Sequence, residues 1–408
     1  MANGAAVSNT RQPPHRAATQ AIHLGRHPED YHGFVNPPIY HASTVLFPTV
    51  AELEAARNKR YEYGSIRYGR FGTPLSLGLE RAVAELEGGH GAVSVSSGLA
   101  AITTALGAFG AAGDHILVCD NVYHPTRLYC DEVLTRYGVS VSYYEPLLGA
   151  GIEALIRDNT RVIYMESPGS QTFEVQDVPA ITRVAQQHGI TTMIDNTWAT
   201  PLYFKPLALG VDISIHAATK YIVGHSDAML GIVVANEAHF DKLSRGAIHH
   251  GHCAGPDSVY LGLRGLRTLP ARMKIHQENA VQLAEWLAKR PEVERVLHPA
   301  LPSDPGHELW KRDFSGASGL FGIVLSDVPK TAISAMLDDL QLFGMGFSWG
   351  GFESLCIPVH PGDYRISPQW TDTGPMLRIH AGLEDILDLQ ADLDAGFERL
   401  RRVANGAD

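Results

Sequence analysis

The sequence predicts an α/β protein with a large, mostly parallel seven-stranded sheet domain and a smaller C-terminal α/β domain. Its 408 residues exceed what one hydrophobic core usually supports. Short runs of β-branched residues alternate with apolar helical patterns, as in a parallel sheet that is covered on both faces. This alternation of strand and helix patterns changes near residue 267. We therefore expect an N-terminal extended arm (1–72), a sheet domain (73–266) and a C-terminal α/β domain (267–408).

The N-terminal arm is predicted from its irregular composition. Residues 1–20 lack an apolar pattern and are expected to be flexible. Residues 23–49 combine Pro37-Pro38 with scattered His and Tyr, which is typical of extended chain. One short helix is predicted over residues 50–58.

Strand and helix patterns alternate from about residue 72. Seven strands are predicted, at residues 92–95, 115–118, 139–143, 162–165, 191–194, 212–215 and 231–234. Helical patterns lie between most of them, for example over 99–109 and 179–188, and one long helix is predicted over 270–290. Ligands of such sheets bind outside the carboxyl ends of the strands. Residues that directly follow a strand are therefore the candidates for a site.

Composition narrows the partners and the compartment. A net charge of −11 disfavours nucleic acid and anionic membranes, because their phosphates would be repelled. The four cysteines show no CxxC pairing, which fits a reducing cytoplasm. Residues 1–20 lack a secretory apolar region, and the longest apolar stretch, 100–112, is too short for a membrane helix. We expect a cytoplasmic protein.

Lys220 is the first candidate for chemistry. It follows a predicted strand in VDISIHAATKYIVGHSD, with Thr219 before it and a polar turn at 224–227 after it. A surface lysine is the usual interpretation of such a position, because lysines are mostly exposed. A lysine that is desolvated or placed against positive charge instead has a lowered pKa and becomes an amine nucleophile, able to form a Schiff base.

Asp195 is the second candidate, because it ends the apolar run TTMID. A carboxylate at a buried strand end needs a partner. A helix N-cap is one interpretation. The other partner is a protonated pyridine nitrogen, and at ~4 Å such a pair contributes on the order of 4 kcal/mol before desolvation. That pair would keep the ring an electron sink.

Three further positions complete a possible site. Gly98 and Leu99 would offer N–H groups at a helix N-terminus, which can bind an anion or simply form a turn. Tyr123 follows a strand and could stack on a flat cofactor or be an ordinary core residue. Arg378 could recognise a carboxylate or form a structural salt bridge. Together these residues have the order that a pyridoxal-phosphate (PLP) site on a parallel sheet would use.

The motif HHGHC at residues 249–253 hints at a metal. Ligands this close together in one loop rarely close a tetrahedral site, and no second cluster completes it. We therefore predict no metal.

The sequence resembles the Cys/Met-metabolism family of fold-type I PLP enzymes over about residues 23–400. The motifs that carry the resemblance are VNPPIYHAST, YGRFGTP, SSGLAA, ESPGS, MIDNTW, AATKYIVGHSD, RGLRTL, HPALP, SGLFG, SWGGFESL and LRIHAGLED. The resemblance implies the fold-type I PLP-dependent transferase-like fold, with PLP as cofactor held in the 73–266 domain.

The resemblance also implies a role for individual residues. Lys220 would carry PLP as a Schiff base, Asp195 would pair with the pyridine nitrogen, and Tyr123 would stack on the ring and assist catalysis. The remaining implied residues are Gly98, Leu99 and Thr219 for the phosphate, Tyr68 and Arg70 for the phosphate of the neighbouring subunit, and Arg378, Ser348, Trp349 and Tyr123 for the substrate.

Two more features follow from the resemblance. The family implies a homotetramer of two tight dimers, with active sites shared across each dimer and the arm reaching over. Many relatives carry Ser three residues before the lysine, where this chain has Ala217. One phosphate contact is therefore expected to be absent.

The stretch from Phe347 to Gly351 bears on the reaction. Relatives that act at Cγ usually have Glu before Ser348 and a smaller residue after it, whereas this chain has Phe347 and Trp349. The resemblance thus implies a carbon–sulfur lyase of methionine biosynthesis and transsulfuration, which acts on L-cystathionine by β-elimination to give homocysteine, pyruvate and ammonia. The alternative functions are a γ-lyase or γ-synthase type of member and a PLP-binding regulatory protein with vestigial catalysis. The alternative role of Trp349 is only to pack a domain interface.

Overall fold

The computed structural model describes residues 15–59, 61–366, 370–371 and 374–406. Residues 1–14 of the segment predicted to be flexible lie outside this range. The rest of that segment departs from the prediction, because helix α1 occupies Ala17–His23. Arg267 explains the difference: its guanidinium donates to the backbone oxygens of Ala21 at 2.9 Å and Leu24 at 2.8 Å. The carbonyl end of α1 is thereby satisfied by a side chain from far along the sequence.

Seven strands form the large sheet, as predicted. They are β1 (Gly91–Val95), β2 (His115–Cys119), β3 (Ser140–Tyr144), β4 (Thr160–Glu166), β5 (Thr191–Asp195), β6 (Ile213–His216) and β7 (Gly231–Ala235). Their order is β1-β7-β6-β5-β4-β2-β3, with β7 antiparallel to both neighbours and the pairs between β6 and β3 parallel. Each predicted strand agrees with the structure to within two residues at either end, since β-branched runs mark buried strands clearly.

Four antiparallel strands form the second sheet, which belongs to the C-terminal part of the chain. They are β8 (Val293–Leu297), β9 (Leu320–Leu325), β10 (Leu355–Val359) and β11 (Met376–His380), in the order β10-β11-β9-β8. The α/β prediction for this part of the chain is confirmed. Arg378 lies in the middle of β11, where it pairs with Ile357 on β10 and Gly322 on β9.

The remaining helices cover both sheets. They are α2 (Val50–Asn58), α3 (Pro74–Glu87), α4 (Gly98–Phe109), α5 (His124–Tyr129), α6 (Val178–Gln187), α7 (Thr200–Tyr203), α8 (Glu237–His250), α9 (Pro256–Leu287), α10 (His307–Asp313), α11 (Lys330–Leu337) and α12 (Ile386–Ala404). The helix predicted over 50–58 is confirmed, the one predicted over 99–109 begins one residue earlier, and the one predicted over 179–188 is shifted by one residue. Among the described residues, no helix is both long and apolar enough to cross a membrane.

The long helix α9 corrects the prediction of a helix over 270–290. It begins fourteen residues earlier, at Pro256, and Pro270 lies inside it. An interior proline costs ~3 kcal/mol. The neighbouring side chains Leu263, Leu266 and Leu269 are almost fully buried, and each contributes ~1.5–3 kcal/mol. Burial of this apolar face therefore outweighs the proline. The predicted domain boundary at 267 falls within α9, and the three-part division stays a prediction.

Candidate active site

A cavity of about 380 Å³ opens at the carboxyl edge of the large sheet, where residues of the small sheet also reach it. Eight of the residues singled out from the sequence line it: Gly98, Leu99, Tyr123, Asp195, Thr219, Lys220, Trp349 and Arg378. They come from both parts of the chain, so the fold brings together positions that are far apart in sequence. This is the place where a doubly wound sheet is expected to bind ligands.

Lys220 lies in the turn that follows β6, largely withdrawn from solvent. Its Nζ donates to Ser348 Oγ at 2.7 Å and lies 5.2 Å from the ring centroid of Trp349. Gly350 lets the loop that carries both residues pass over the lysine: it has φ +84°, and a Cβ there would lie 3.0 Å from the Lys220 Cα. Burial, and then Arg378, lower the pKa of Lys220 to about 8. An amine with this pKa is roughly one tenth unprotonated at pH 7 and about half unprotonated at pH 8, far more than an ordinary lysine.

Asp195 ends β5 and is buried at the floor of the cavity. Its Oδ1 accepts from the Thr197 backbone N–H at 2.9 Å and from Thr197 Oγ1 at 2.5 Å. Burial raises its pKa, while Thr197, His216 and Lys220 favour the ionised form. A buried carboxylate held in this way stabilises a cation placed beside it.

Glu166 is a site residue that the sequence reasoning missed. It ends β4 in register with Asp195 and lines the same cavity. Its Oε2 accepts from the backbone N–H of Tyr123 at 2.7 Å. Burial, and then Asp195, raise the pKa of Glu166 well above its usual range. Two adjacent carboxyls do not both ionise easily, and the pKa of Glu166 is raised more strongly than that of Asp195, so of the two Glu166 takes up a proton first. The available signal was its position at the end of a strand next to β5.

Tyr123 precedes α5, and Glu166 fixes its backbone. The ring borders the cavity and remains partly exposed. Burial, and then Glu166, raise the pKa of its hydroxyl, so the hydroxyl keeps its proton at neutral pH. The ring can therefore lie against a flat ligand, and the hydroxyl can donate a hydrogen bond.

The N-terminus of α4 faces the same cavity. Ser97 caps the helix by accepting from the Ala100 N–H at 3.1 Å. Within the described part of the chain, no hydrogen bond engages the N–H groups of Gly98 and Leu99, which suits an anion. A Cβ on Gly98 would lie 2.5 Å from the Cβ of Ala217, so only glycine permits this close approach.

Thr219 and Ala217 form the other side of this anion site. The Thr219 hydroxyl accepts from the Leu230 N–H at 2.8 Å and donates to the Leu230 oxygen at 3.2 Å. It would have to give up the longer of these bonds to donate to a phosphate. Ala217 offers no side-chain donor, as expected from the sequence, although its N–H donates to Thr197 Oγ1 at 2.8 Å.

Arg378 reaches the cavity from β11. Its Nη2 donates to the backbone oxygens of Gly346, Phe347 and Ser348, at 3.2, 3.2 and 3.0 Å. Burial lowers its pKa to about 10, which leaves it charged at neutral pH. A guanidinium has five N–H donors, so it can hold this loop and bind a carboxylate at the same time.

Tyr68 and Arg70 do not line the Lys220 cavity. Arg70 borders a second cavity of about 330 Å³ and donates to the Ile248 oxygen at 2.8 Å, and Tyr68 is partly exposed. Their role toward a neighbouring subunit stays a prediction. His252 and Cys253 of the HHGHC motif also border this second cavity. In the described ranges, no group of three His, Cys, Asp or Glu side chains could hold a metal ion.

The residues of the Lys220 cavity fit PLP in their chemistry. Lys220 offers an amine of lowered pKa to an aldehyde, and Asp195 offers a buried carboxylate to a pyridine nitrogen. Gly98 and Leu99 offer N–H groups to a phosphate, and Tyr123 offers an aromatic ring. The aldehyde, the pyridine nitrogen, the phosphate and the ring of PLP therefore each have a counterpart in the same cavity.

Comparisons with known proteins agree with this fit. A family model described as Cys/Met metabolism PLP-dependent enzyme matches residues 18–398. The chain is 52% identical to a putative cystathionine beta-lyase of Rhizobium johnstonii, over 93% of this chain and 95% of that protein. It is 44% identical to the cystathionine beta-lyase MetC of Escherichia coli, over 94% of this chain and 98% of that protein. The crystal structure of metB from Corynebacterium glutamicum has a TM-score of 0.86 and 32% identity, covering 96% of this chain and 99% of that chain.

Proposed function

The chain belongs to the Cys/Met metabolism family of PLP-dependent enzymes, and we propose that it is a carbon–sulfur lyase that cleaves L-cystathionine by β-elimination. The products are homocysteine, pyruvate and ammonia, and the reaction belongs to methionine biosynthesis. The observation that carries the proposal is the convergence of Lys220, Asp195 and Trp349 on one cavity. The relatives named cystathionine beta-lyase support the choice of β-elimination.

The cofactor supplies the electron-withdrawing group that this reaction needs. When bound, PLP offers an aldehyde that condenses with an amine and a protonated ring that draws electrons from the substrate Cα. Asp195 would hold the proton on the pyridine nitrogen, since its buried carboxylate favours a cation beside it. Gly98, Leu99 and Thr219 would hold the phosphate at the N-terminus of α4.

Lys220 moves the protons. Its Nζ, unprotonated in a large fraction near pH 8, takes the proton from the substrate Cα and later delivers one to the departing sulfur. Ser348 Oγ accepts from Nζ and thereby orients the amine. Tyr123, which keeps its hydroxyl proton, lies at the same cavity and can assist this transfer.

Arg378 and Trp349 orient the substrate. The Arg378 guanidinium binds the α-carboxylate through parallel N–H donors. Trp349 lines the cavity with its ring centroid 5.2 Å from Lys220 Nζ, and so narrows the space beside the amine. A narrow pocket favours bond breaking at Cβ over chemistry one carbon further along the substrate.

Product analysis tests the proposal. The purified, PLP-loaded protein is incubated with L-cystathionine, and the keto acid and the thiol are identified. Pyruvate with homocysteine is the expected result. Production of 2-oxobutyrate with cysteine indicates a γ-lyase, and bound cofactor without turnover indicates a regulatory PLP-binding protein. Either outcome overturns the proposal.

The proposed assembly is a cytoplasmic homotetramer of two dimers, with each active site shared by two subunits. The N-terminal arm supports it, since Phe34 is 71% and Leu46 is 88% exposed in the single chain. Exposed apolar side chains in such a segment are typical of an interface. Tyr68 and Arg70 lie outside the Lys220 cavity and Tyr68 is exposed, as the proposed contact with a neighbouring subunit requires. Light scattering coupled to size-exclusion chromatography measures the assembly, and a monomer would contradict the proposal.

A further inference from the structure

Part of the cavity wall carries polar side chains that the proposed mechanism does not use. Gln171 and His124 line the cavity; Gln171 lies in the loop that follows β4, and His124 is the first residue of α5, which follows β2. Gln171 has φ +64°, in the left-handed region that residues other than glycine rarely adopt. The loop nevertheless holds this conformation, with the Ser170 N–H donating to the Asn121 oxygen at 2.8 Å. A strained polar residue at a cavity is a candidate for function.

Tyr364, from the C-terminal part of the chain, contacts both of these lining residues. Its hydroxyl donates to Gln171 Oε1 at 2.6 Å, and its ring centroid lies 5.0 Å from that of His124. Burial raises the pKa of Tyr364, so the hydroxyl stays protonated and remains a donor. Because Oε1 is engaged, Gln171 offers the two N–H donors of its Nε2 to the cavity.

Arg365 fixes this arrangement through a buried charge cluster. Its Nε donates to Asp120 Oδ2 at 3.2 Å, and its Nη1 donates to Glu174 Oε1 at 2.8 Å and Thr172 Oγ1 at 3.0 Å. Asp120 lies in the loop that leads to His124, and Thr172 directly follows Gln171. One guanidinium thus ties Tyr364 to both loops of the cavity wall.

The leaving group of the substrate must also lie in this cavity. Lys220 and Arg378 take the half of the amino acid that reacts, so the rest of a thioether extends along the remaining wall. In L-cystathionine this part is a homocysteine half with its own carboxylate. Amide N–H groups are suitable donors to a carboxylate.

On the basis of the proposed function, we propose that Gln171 is a specificity-determining residue that donates its amide N–H groups to the carboxylate of the leaving homocysteine half. Tyr364 is its positioning residue, because it holds the amide oxygen away from the substrate. The site thereby favours thioethers whose leaving group carries a carboxylate.

Gln171→Glu tests the inference, since it keeps the shape of the side chain and replaces the donor with a negative charge. Pyruvate formation is compared for L-cystathionine and for β-chloro-L-alanine, whose leaving group has no carboxylate. The ratio of kcat/KM for the two substrates is expected to fall about tenfold or more, mainly through KM for L-cystathionine. Tyr364→Phe keeps the ring beside His124 and should lower the same ratio by a smaller factor.

Binding gives a second measurement that does not depend on turnover. In PLP-loaded Lys220→Ala protein, adding Gln171→Glu is expected to raise the Kd of L-cystathionine about tenfold. An unchanged Kd, or an equal loss of kcat/KM for both substrates, would overturn the inference. If wild-type protein releases pyruvate from β-chloro-L-alanine but not from L-cystathionine, the proposed function fails instead.

Discussion

The two sheets contribute different kinds of group to one cavity. The parallel sheet supplies Glu166, Asp195 and Lys220 at or just after the ends of the adjacent strands β4, β5 and β6, where burial shifts the pKa of each. The antiparallel sheet supplies Arg378 from the middle of β11, a cation that stays charged at neutral pH. Parallel strands bring their carboxyl ends to one edge of the sheet, so titratable groups at this edge can shift one another's pKa values. The antiparallel sheet presents a fixed charge, which we propose recognises the substrate carboxylate.

The largest expected effect tests whether the parallel sheet carries the chemistry. Lys220→Ala removes the amine and is expected to lower kcat for L-cystathionine by at least ~10⁴-fold. Far-UV circular dichroism checks that the fold is intact. Borohydride reduction of the wild-type holoenzyme should attach the cofactor to the peptide that contains Lys220. Attachment to a different lysine would contradict this role.

Asp195→Asn should produce the next largest loss. The change keeps the shape of the side chain and removes its charge. A pair of ~4 kcal/mol at ~4 Å corresponds to about a thousandfold lower kcat. Thr197→Ser, which retains the hydroxyl that Asp195 accepts from, is the matched control and should lose far less. Because serine keeps the hydrogen bond and removes only a methyl group, a comparable loss in both variants would mean that packing around Asp195 matters rather than the carboxylate charge.

Arg378→Lys tests the recognition that is assigned to the antiparallel sheet. A lysine keeps the positive charge but lacks the parallel donors, so KM for L-cystathionine is expected to rise about 10- to 100-fold. The effect on kcat should be smaller. Steady-state kinetics measure kcat and KM separately. A fall in kcat as large as the rise in KM would contradict the assignment of recognition, rather than catalysis, to the antiparallel sheet.

The smallest expected effect concerns the electrostatic link between the sheets. An amine must lose its proton to condense with an aldehyde, so the rate of PLP uptake by the apoenzyme should rise with pH and reach half its maximum near the Lys220 pKa, about 8. Arg378 lowers this pKa, so Arg378→Leu should move the midpoint to higher pH. The change in visible absorbance measures uptake, and an unchanged midpoint would show that the two sheets are electrostatically independent.

Lys220 and Asp195 could be predicted as site residues from the sequence because the signals that mark them are local. Lys220 and Asp195 each follow an apolar run, and such runs locate strands well. Glu166 was missed because its importance depends on its register with Asp195, which a single strand does not reveal. The contact between Tyr364 and Gln171 joins residues 193 apart in sequence and has no local signal either.

The long helix shows the opposite failure, in which a local signal misled. Pro270 resembles a helix start, because proline is favoured in the first turn. The true start is another proline, Pro256, and the stretch between them is held by burial against distant parts of the chain. Tertiary packing decided a boundary that propensity alone would place elsewhere.

Helix α9 also constrains how this enzyme could be recombined with its relatives. Its first half packs in one core cluster with Leu79 and Leu230, whereas Leu283 and Leu287 near its end belong to the core of the small sheet. In a chimaera joined within the helix, side chains of α9 from one parent would have to pack against core side chains from the other parent, and this would occur in both cores. Crossovers placed before Pro256 or after Leu287 keep the whole helix with one parent and leave a single foreign interface to accommodate.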